Sequence, residues 1–176
     1  MMSLYMRIRR TLFILPLLGS VWLGAGHPVA GQPKYGVKVI ETRPAALAKV
    51  KTYVWTVGRP AFDKKTDALI VAAVDRELAA RGLTKLPAGP SDVSVTYASV
   101  GRTDVDVKNP AKDGASREMA VGTLVVDLND PSSRQLLFRV RLDTPIDTDP
   151  ATLEATINTA VAAMFEKYPP PPKPQR

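Results

Sequence analysis

The stretch AVGTLVVDLNDPSSRQLLFRVRLD, residues 120–143, decides the fold. Both of its arms, Ala120 to Leu128 and Gln135 to Asp143, are rich in the β-branched and large apolar residues that fit a pleated surface. In the second arm Leu136, Phe138, Val140 and Leu142 alternate with Arg139 and Arg141, so one face is apolar and the other wet. Between the arms, Asn129, Asp130, Pro131, Ser132 and Ser133 supply turn chemistry, and the whole stretch is predicted to be an antiparallel hairpin.

Working outward, VSVTYASV at Val93 to Val100 alternates as another strand, with Val93, Val95 and Tyr97 on one face. The segment from Gly101 to Met119 mixes Arg102, Lys108, Lys112 and Arg117 with Asp104, Asp106, Asp113 and Glu118 around Pro110 and Gly114. It reads as an exposed, mobile loop, in which Thr103, Val105 and Val107 can extend an edge strand briefly. Further upstream, KTYVWTV at Lys51 to Val57 and YGVKVIET at Tyr35 to Thr42 read as two strands, the latter with Tyr35, Val37 and Val39 opposed to Gly36, Lys38 and Ile40.

Two segments switch to a helical period. In DKKTDALIVAAVDRELAARGL, Leu69, Ile70, Ala73, Val74 and Leu78 form one buried stripe, Asp63 or Thr66 caps the start, and Gly82 closes the end. Near the carboxyl end, Asp149 is placed to cap a helix with Pro150 in its first turn, and Leu153, Ile157, Val161, Met164 and Phe165 repeat as a second stripe that stops near Tyr168. The order ββαβββα predicts an α+β fold: a largely antiparallel sheet of about five strands with two helices packed on one face.

The first residues have a different character. Arg7, Arg9 and Arg10 precede the uncharged run TLFILPLLGSVWLGAG, and no acidic residue appears before Glu41. This is the layout of a secretory signal peptide. Small residues place cleavage after Gly26 or Gly31, and Met6 is a possible alternative start. An uncleaved inner-membrane anchor is the weaker reading, because Pro16 interrupts the run and His27 and Pro28 close it short of the roughly 20 apolar residues a span needs. The expected organisation is a signal peptide at 1–31, one globular domain at 32–168 and a proline-rich disordered tail at 169–176. The protein is therefore expected in the periplasm.

That division changes the meaning of the charge. The 176 residues carry 24 Lys and Arg against 17 Asp and Glu, for a net +7. Removing Arg7, Arg9 and Arg10 with the leader leaves 21 against 17, and setting aside Lys173 and Arg176 in the tail leaves 19 against 17. So small an excess argues against a nucleic-acid partner.

Catalytic chemistry is equally constrained. With no Cys there is no thiol nucleophile, thiolate metal site or disulfide, and no acceptor for a covalent lipid anchor. The one His, His27, falls beside the cleavage site, which removes Ser-His chemistry from the mature chain. Asp104 with Asp106, and Asp143 with Asp147 and Asp149, are the carboxylate groupings that a metal or glycosidase site would need, and they read as turn and cap residues. Gly31, Gly36, Gly58 and Gly82 are scattered and form no phosphate loop. Arg139 and Arg141 could grip an anion, but a polar sheet face paired with acids such as Asp127 accounts for them. Tyr53 and Trp55 share a strand face and read as core under the helices. No catalytic, cofactor-binding or metal-binding residue is assigned, and no cofactor is expected.

The phrases KVKTYVWT, AVDRELAARGL, DVSVTY, GTLVVDL with the turn and LLFRVRL, and the closing AVAAMFEKYPP resemble the bacterial envelope family known as domain of unknown function 4136, from about Val37 to Pro170. That resemblance implies export to the periplasm, commonly as an outer-membrane lipoprotein, and transfers no catalytic residue. The chain departs from the pattern by lacking the lipid-bearing cysteine and by placing Phe138, not tryptophan, before Arg139. Two functions follow as expectations. The first is a non-enzymatic periplasmic interaction or assembly module whose partner is an envelope protein or lipid, with at most peripheral membrane association. The second is a small binding protein holding a lipid or apolar ligand between the sheet and the 101–119 loop. A closed apolar pocket favours the second; a filled core and an exposed polar sheet face favour the first.

Overall fold

A computed structural model describes residues 36–106, 117–146 and 149–170, all within one compact unit. The leader assigned to 1–31, Asp147, residues 107–116 of the expected loop and the tail beyond Pro170 lie outside the described residues.

The hairpin forms as its sequence predicts. Strand β5, Arg117–Asn129, pairs antiparallel with β6, Leu136–Pro145, so that Thr123 faces Asp143, Val126 faces Val140 and Leu128 faces Phe138. The turn is tied by one side chain: the Asp130 carboxylate accepts from the Ser132 and Ser133 amides and the Ser132 hydroxyl. Those hydrogen bonds, Ser132's first, hold the Asp130 carboxyl down to about 2. The Asp130 amide in turn donates to the Gln135 carbonyl, which closes the loop.

Strand β4, Val93–Asp106, pairs with β5 along its full length, from Ser94 facing Asn129 to Asp106 facing Arg117. This corrects the expected loop at 101–119. Its two flanks, Gly101 to Asp106 and Arg117 to Met119, are strand, which bears out the brief extension through Thr103 and Val105. Charge hides the alternation there, because Arg102 and Asp104 share a face and neutralise one another, while Thr103 and Val105 occupy the other.

Strand β1, Gly36–Thr42, lies along β6 with an irregularity between Val39 and Glu41. Val37 and Val39 turn toward the core and Ile40 stays exposed, as the alternation predicts. A four-residue helix α1, Pro44–Leu47, then leads into β2, Thr52–Trp55. β2 runs parallel to β4 because the long helix α2, Lys64–Ala80, supplies the crossover that a parallel pair requires. A two-residue strand β3, Thr84–Lys85, adds to β2 in parallel. The sheet is thus six-stranded and mixed, in the order β1-β6-β5-β4-β2-β3. α1 and β3 are too short to show a period.

Asp63 caps α2 by accepting from the Thr66 amide, and Gly82, with φ of 81°, ends it in the left-handed conformation. Helix α3, Leu153–Phe165, starts later than Asp149. Asp149 instead organises a preceding turn, accepting from the Ala151 amide on its side chain and from the Leu153 amide on its carbonyl. α2 and α3 cover one face of the sheet and run in the same direction, since Arg76 reaches Asn158 and Arg81 reaches the Phe165 carbonyl. Beneath them Val74, Leu78, Val126, Leu128, Phe138 and Met164 are fully buried. Phe138 lies between Phe165 and Tyr168, with ring centroids at 6.2 and 5.3 Å.

Candidate functional site

Two surfaces emerge from this arrangement, and alternation along the strands assigns them to opposite sides of the sheet. On the open side, Arg102 from β4, Thr123 from β5, and Arg141 and Asp143 from β6 converge. The Asp143 carboxylate accepts from Arg102 Nη1 at 2.7 Å, Thr123 Oγ1 at 2.6 Å, and Arg141 Nε and Nη2 at 2.7 and 2.8 Å. Arg102 also donates to both oxygens of Asp104, at 2.9 and 3.1 Å. One step along the hairpin, Arg139 Nε donates to Asp127 at 2.7 Å, directly across the ladder.

These contacts decide the chemistry. The Arg141 guanidinium, supported by Arg102 and Thr123, holds the Asp143 carboxyl well below the usual carboxylate range despite its partial burial. A general base needs a pKa near the working pH, so Asp143 is tuned away from proton transfer. The guanidinium groups are spent on neighbours within the same face. The reading of Arg139 with Asp127 as a cross-strand pair therefore holds, and Asp104 is part of the same network. Arg102, expected in a loop, is the member the sequence did not place; its pairing depends on β4 continuing past Val100. Asp149 sits apart in its turn, and Asp147 and the Asp106 side chain lie outside the described residues. Among the described residues no three His, Cys, Asp or Glu side chains are grouped to hold a metal ion.

On the helix side, Tyr53 and Trp55 pack against α2 as core residues. Their polar tips, Tyr53 Oη and Trp55 Nε1, both donate to Asp75 Oδ1 at 2.8 Å, while Lys85 Nζ reaches Asp75 Oδ2 at 2.7 Å. Tyr97 meets Trp55 edge-on and donates its hydroxyl to Asp67. Burial, together with that carboxylate, pushes the Tyr97 phenol up to about 12. This seam pins α2 to β2 and β4.

The second surface is a cleft of about 210 Å³ at the far end of the helix side, between the root of the β4–β5 ladder and the first turns of α2 and α3. Ile70, Leu124, Leu142, Ile146, Leu153 and Ile157 line it, with hydroxyls from Thr66, Ser99 and Thr156 and, among the described residues, no charged side chain. Its floor is made by Gly101 opposite Gly122. A Cβ on Gly122 would lie 3.4 Å from Ile146 Cγ1, and the Ile146 amide is fixed by a 3.0 Å bond to the Ala120 carbonyl. The cleft lies between sheet and helices; the expected site between the sheet and the 101–119 loop involves residues 107–116, which lie outside the described residues. Its signal in the sequence is the pair of glycines inside two strands, which mark close approach or room kept free.

Fold and surfaces together define a small α+β domain, helix-covered on one face and bearing a charge-paired open face on the other. The chain belongs to the family described as domain of unknown function DUF4136, whose model matches residues 39–170. No curated protein matches it. Among solved structures, it is similar to a PDZ domain protein from Parabacteroides distasonis, at 13% identity and a TM-score of 0.53, over 77% of this chain and 35% of that one. It thus spans about a third of that protein's length. It is also similar to a dodecameric PelC variant from Paraburkholderia phytofirmans, at 13% identity and a TM-score of 0.51, over 73% of this chain and 92% of that one. These likenesses are of fold. Among the described residues no helix is long and apolar enough to cross a membrane.

Proposed function

We propose that the protein is exported to the periplasm and acts there, without catalysis, as an interaction or assembly module of the cell envelope. The observation that carries this reading is the open sheet face. Asp143, Asp104, Asp127, Arg102, Arg139 and Arg141 satisfy one another in the plane of the sheet, which leaves a preorganised polar surface suited to docking and poorly suited to proton transfer or phosphate capture. Pairing also favours a protein partner over nucleic acid, since the guanidinium groups are already held by carboxylates. That PelC, of the same fold, is a dodecamer supports assembly as a use of this scaffold.

The test is photocrosslinking in the periplasm from a residue placed at Val125, in the middle of the open face, beside a control at Glu77 on α2. A discrete protein adduct specific to Val125 is expected, and light scattering of the purified chain then tells whether the partner is another copy. Equal or absent adducts at both positions would overturn the reading. Export is checked separately by the mass of the periplasmic protein, which is expected to begin after Gly26 or Gly31; an intact amino terminus in the membrane pellet would contradict it.

A further inference from the structure

We infer that the protein pairs with a second copy of itself along the outer edge of β1, antiparallel and about a two-fold axis, so that two sheets join into one. The assignment goes beyond the assembly reading, which concerns the open face of the sheet, and either can fail without the other. The sheet has two edges, and they are finished differently. At one, β3 is only two residues long and is soon followed by Pro87, which has no amide hydrogen to give; shortness and proline both close an edge to further pairing. At the other, β1 is seven residues long, holds no proline and spends one side of its backbone on β6. Among the described residues nothing pairs with its other side. A row of unpaired amides and carbonyls is a template for another strand.

The side chains of β1 select a copy of the same strand as the partner. Lys38 lies opposite Arg141 and Glu41 opposite Arg139, two residues that share the open face. Lys38 and Glu41 therefore share it too, although strict alternation would send them to opposite faces. The irregularity at Ile40 brings them together. Their charges are not matched within one copy. Among the described residues Lys38 has no carboxylate partner, and Arg141 beside it is held by Asp143. Glu41 has a partly exposed contact with Arg43 at 3.5 Å, while Arg139 beside it is held by Asp127. With the two-fold axis between Val39 and Ile40, each Lys38 falls opposite Glu41 of the second copy, on one face and twice over. Both strands carry the same extra residue between those positions, so the register survives the irregularity. Half-buried Val39 and the 49% exposed Ile40 meet their counterparts at the axis, which takes apolar surface out of water. Opposite charges facing across a ladder favour such a pair, and like charges oppose it. Because the pairing uses up the open edge of each copy and the β3 edge is finished, association stops at two.

Sedimentation equilibrium of the purified mature chain tests this. A reversible dimer is expected, with a micromolar dissociation constant that suits the small area of one strand edge. Lys38→Glu and Glu41→Lys each set like charges face to face, and each is expected to weaken the dimer about tenfold or more. Mixed in equal amounts, the two variants present opposite charges at both positions, and a mixed dimer of near-parent affinity is expected. Loss of fold mimics the first result but not the second, and circular dichroism checks each variant. Should either variant unfold, the absence of cysteine from the chain supplies a second reading. Under mild oxidation Ile40→Cys, beside the axis, is expected to form a disulfide between copies, and Val57→Cys, on a fully open side chain away from β1, is expected to form none. A monomer at every concentration overturns the proposal. So does a dimer that both charge reversals leave unchanged, a mixture that fails to restore it, equal crosslinking at the two cysteines, or a polymer in place of a dimer. A monomer that still gives the adduct at Val125 removes the edge pairing and leaves the open face with a different protein as its partner.

Discussion

The two ends of the helix-covered face are built from the same strands and the same pair of helices, yet one is shut and the other open. At the shut end Leu128 faces Phe138 across the hairpin, and Val161, Met164 and Phe165 of α3 lie on them with no exposure at all. At the open end Gly101 faces Gly122, and Leu153 and Ile157 of the same helix stay half-buried. The stripe on α3 does not weaken along its length; Leu and Ile are as apolar as Val and Met. What changes is the bulk the sheet offers in return. An amphipathic stripe guarantees only that a helix turns one side inward, and the facing strand decides whether that side is filled.

The largest expected effect breaks the shut end. Phe138→Ala removes a ring in contact with Phe165 and Tyr168 at a site with no exposure, and a loss of about 3–5 kcal/mol is expected. Ile146→Ala at the open end is expected to change stability by less than about 1 kcal/mol, because that side chain is already 43% exposed. Urea denaturation of both variants checks the contrast, and comparable losses would show that the cleft is core that happens to be loosely packed. The same contrast appears between glycines. A Cβ at Gly58 would sit 2.2 Å from the Tyr97 carbonyl oxygen, so Gly58→Ala must push the 56–60 segment off β4, at about 1–3 kcal/mol. At Gly101 the nearest atom is Ile146 Cδ1 at 3.9 Å, and Gly101→Ala is expected to leave the thermal midpoint unchanged or raise it slightly.

The charge-paired face of the sheet adds a pH dependence of its own on the acid side. Because Arg141, Arg102 and Thr123 depress the Asp143 carboxyl in the folded state, its contribution is fully present above the ordinary aspartate value of 3.8 and is lost as pH falls through that value toward the folded one. Stability is therefore expected to fall below about pH 4. Asp143→Asn should cost about 1–2 kcal/mol at neutral pH and flatten the acid limb. An acid limb as steep in Asp143→Asn as in the parent would assign the effect to other carboxylates.

How much of this was legible depended on whether local chemistry and distant pairing agreed. The 129–135 turn, the α2 stripe and the Arg139 pair with Asp127 were readable because each signal is contained within a few neighbouring residues or one hairpin. The ends of β4 and β5 were not, since Arg102, Asp104 and Glu118 look like solvated loop until their strands are set side by side. The parallel pairing of β2 with β4 was hidden for a related reason: a strand's own alternation carries no direction, and only the crossover through α2 sets it. The cleft was the least visible feature. It arises from two glycines far apart in sequence that face each other only in the finished sheet.

The smallest effect sharpens the comparison from the opposite side, because complete closure can trap a polar atom. Tyr168 stacks its ring against Phe165 and meets Phe138 edge-on, with the Arg81 guanidinium 5.8 Å from its centre, and among the described residues its buried hydroxyl has no hydrogen-bond partner. Burial accordingly raises the phenol above its ordinary value. A buried hydroxyl without a partner gives up its hydration and receives nothing in exchange, so Tyr168→Phe keeps the ring contacts and removes the penalty. The expected outcome is a thermal midpoint that is unchanged or higher, by at most about 1 kcal/mol of added stability. A clear loss would mean that the hydroxyl has an essential partner, and that the shut end is less dry than its aromatic packing implies.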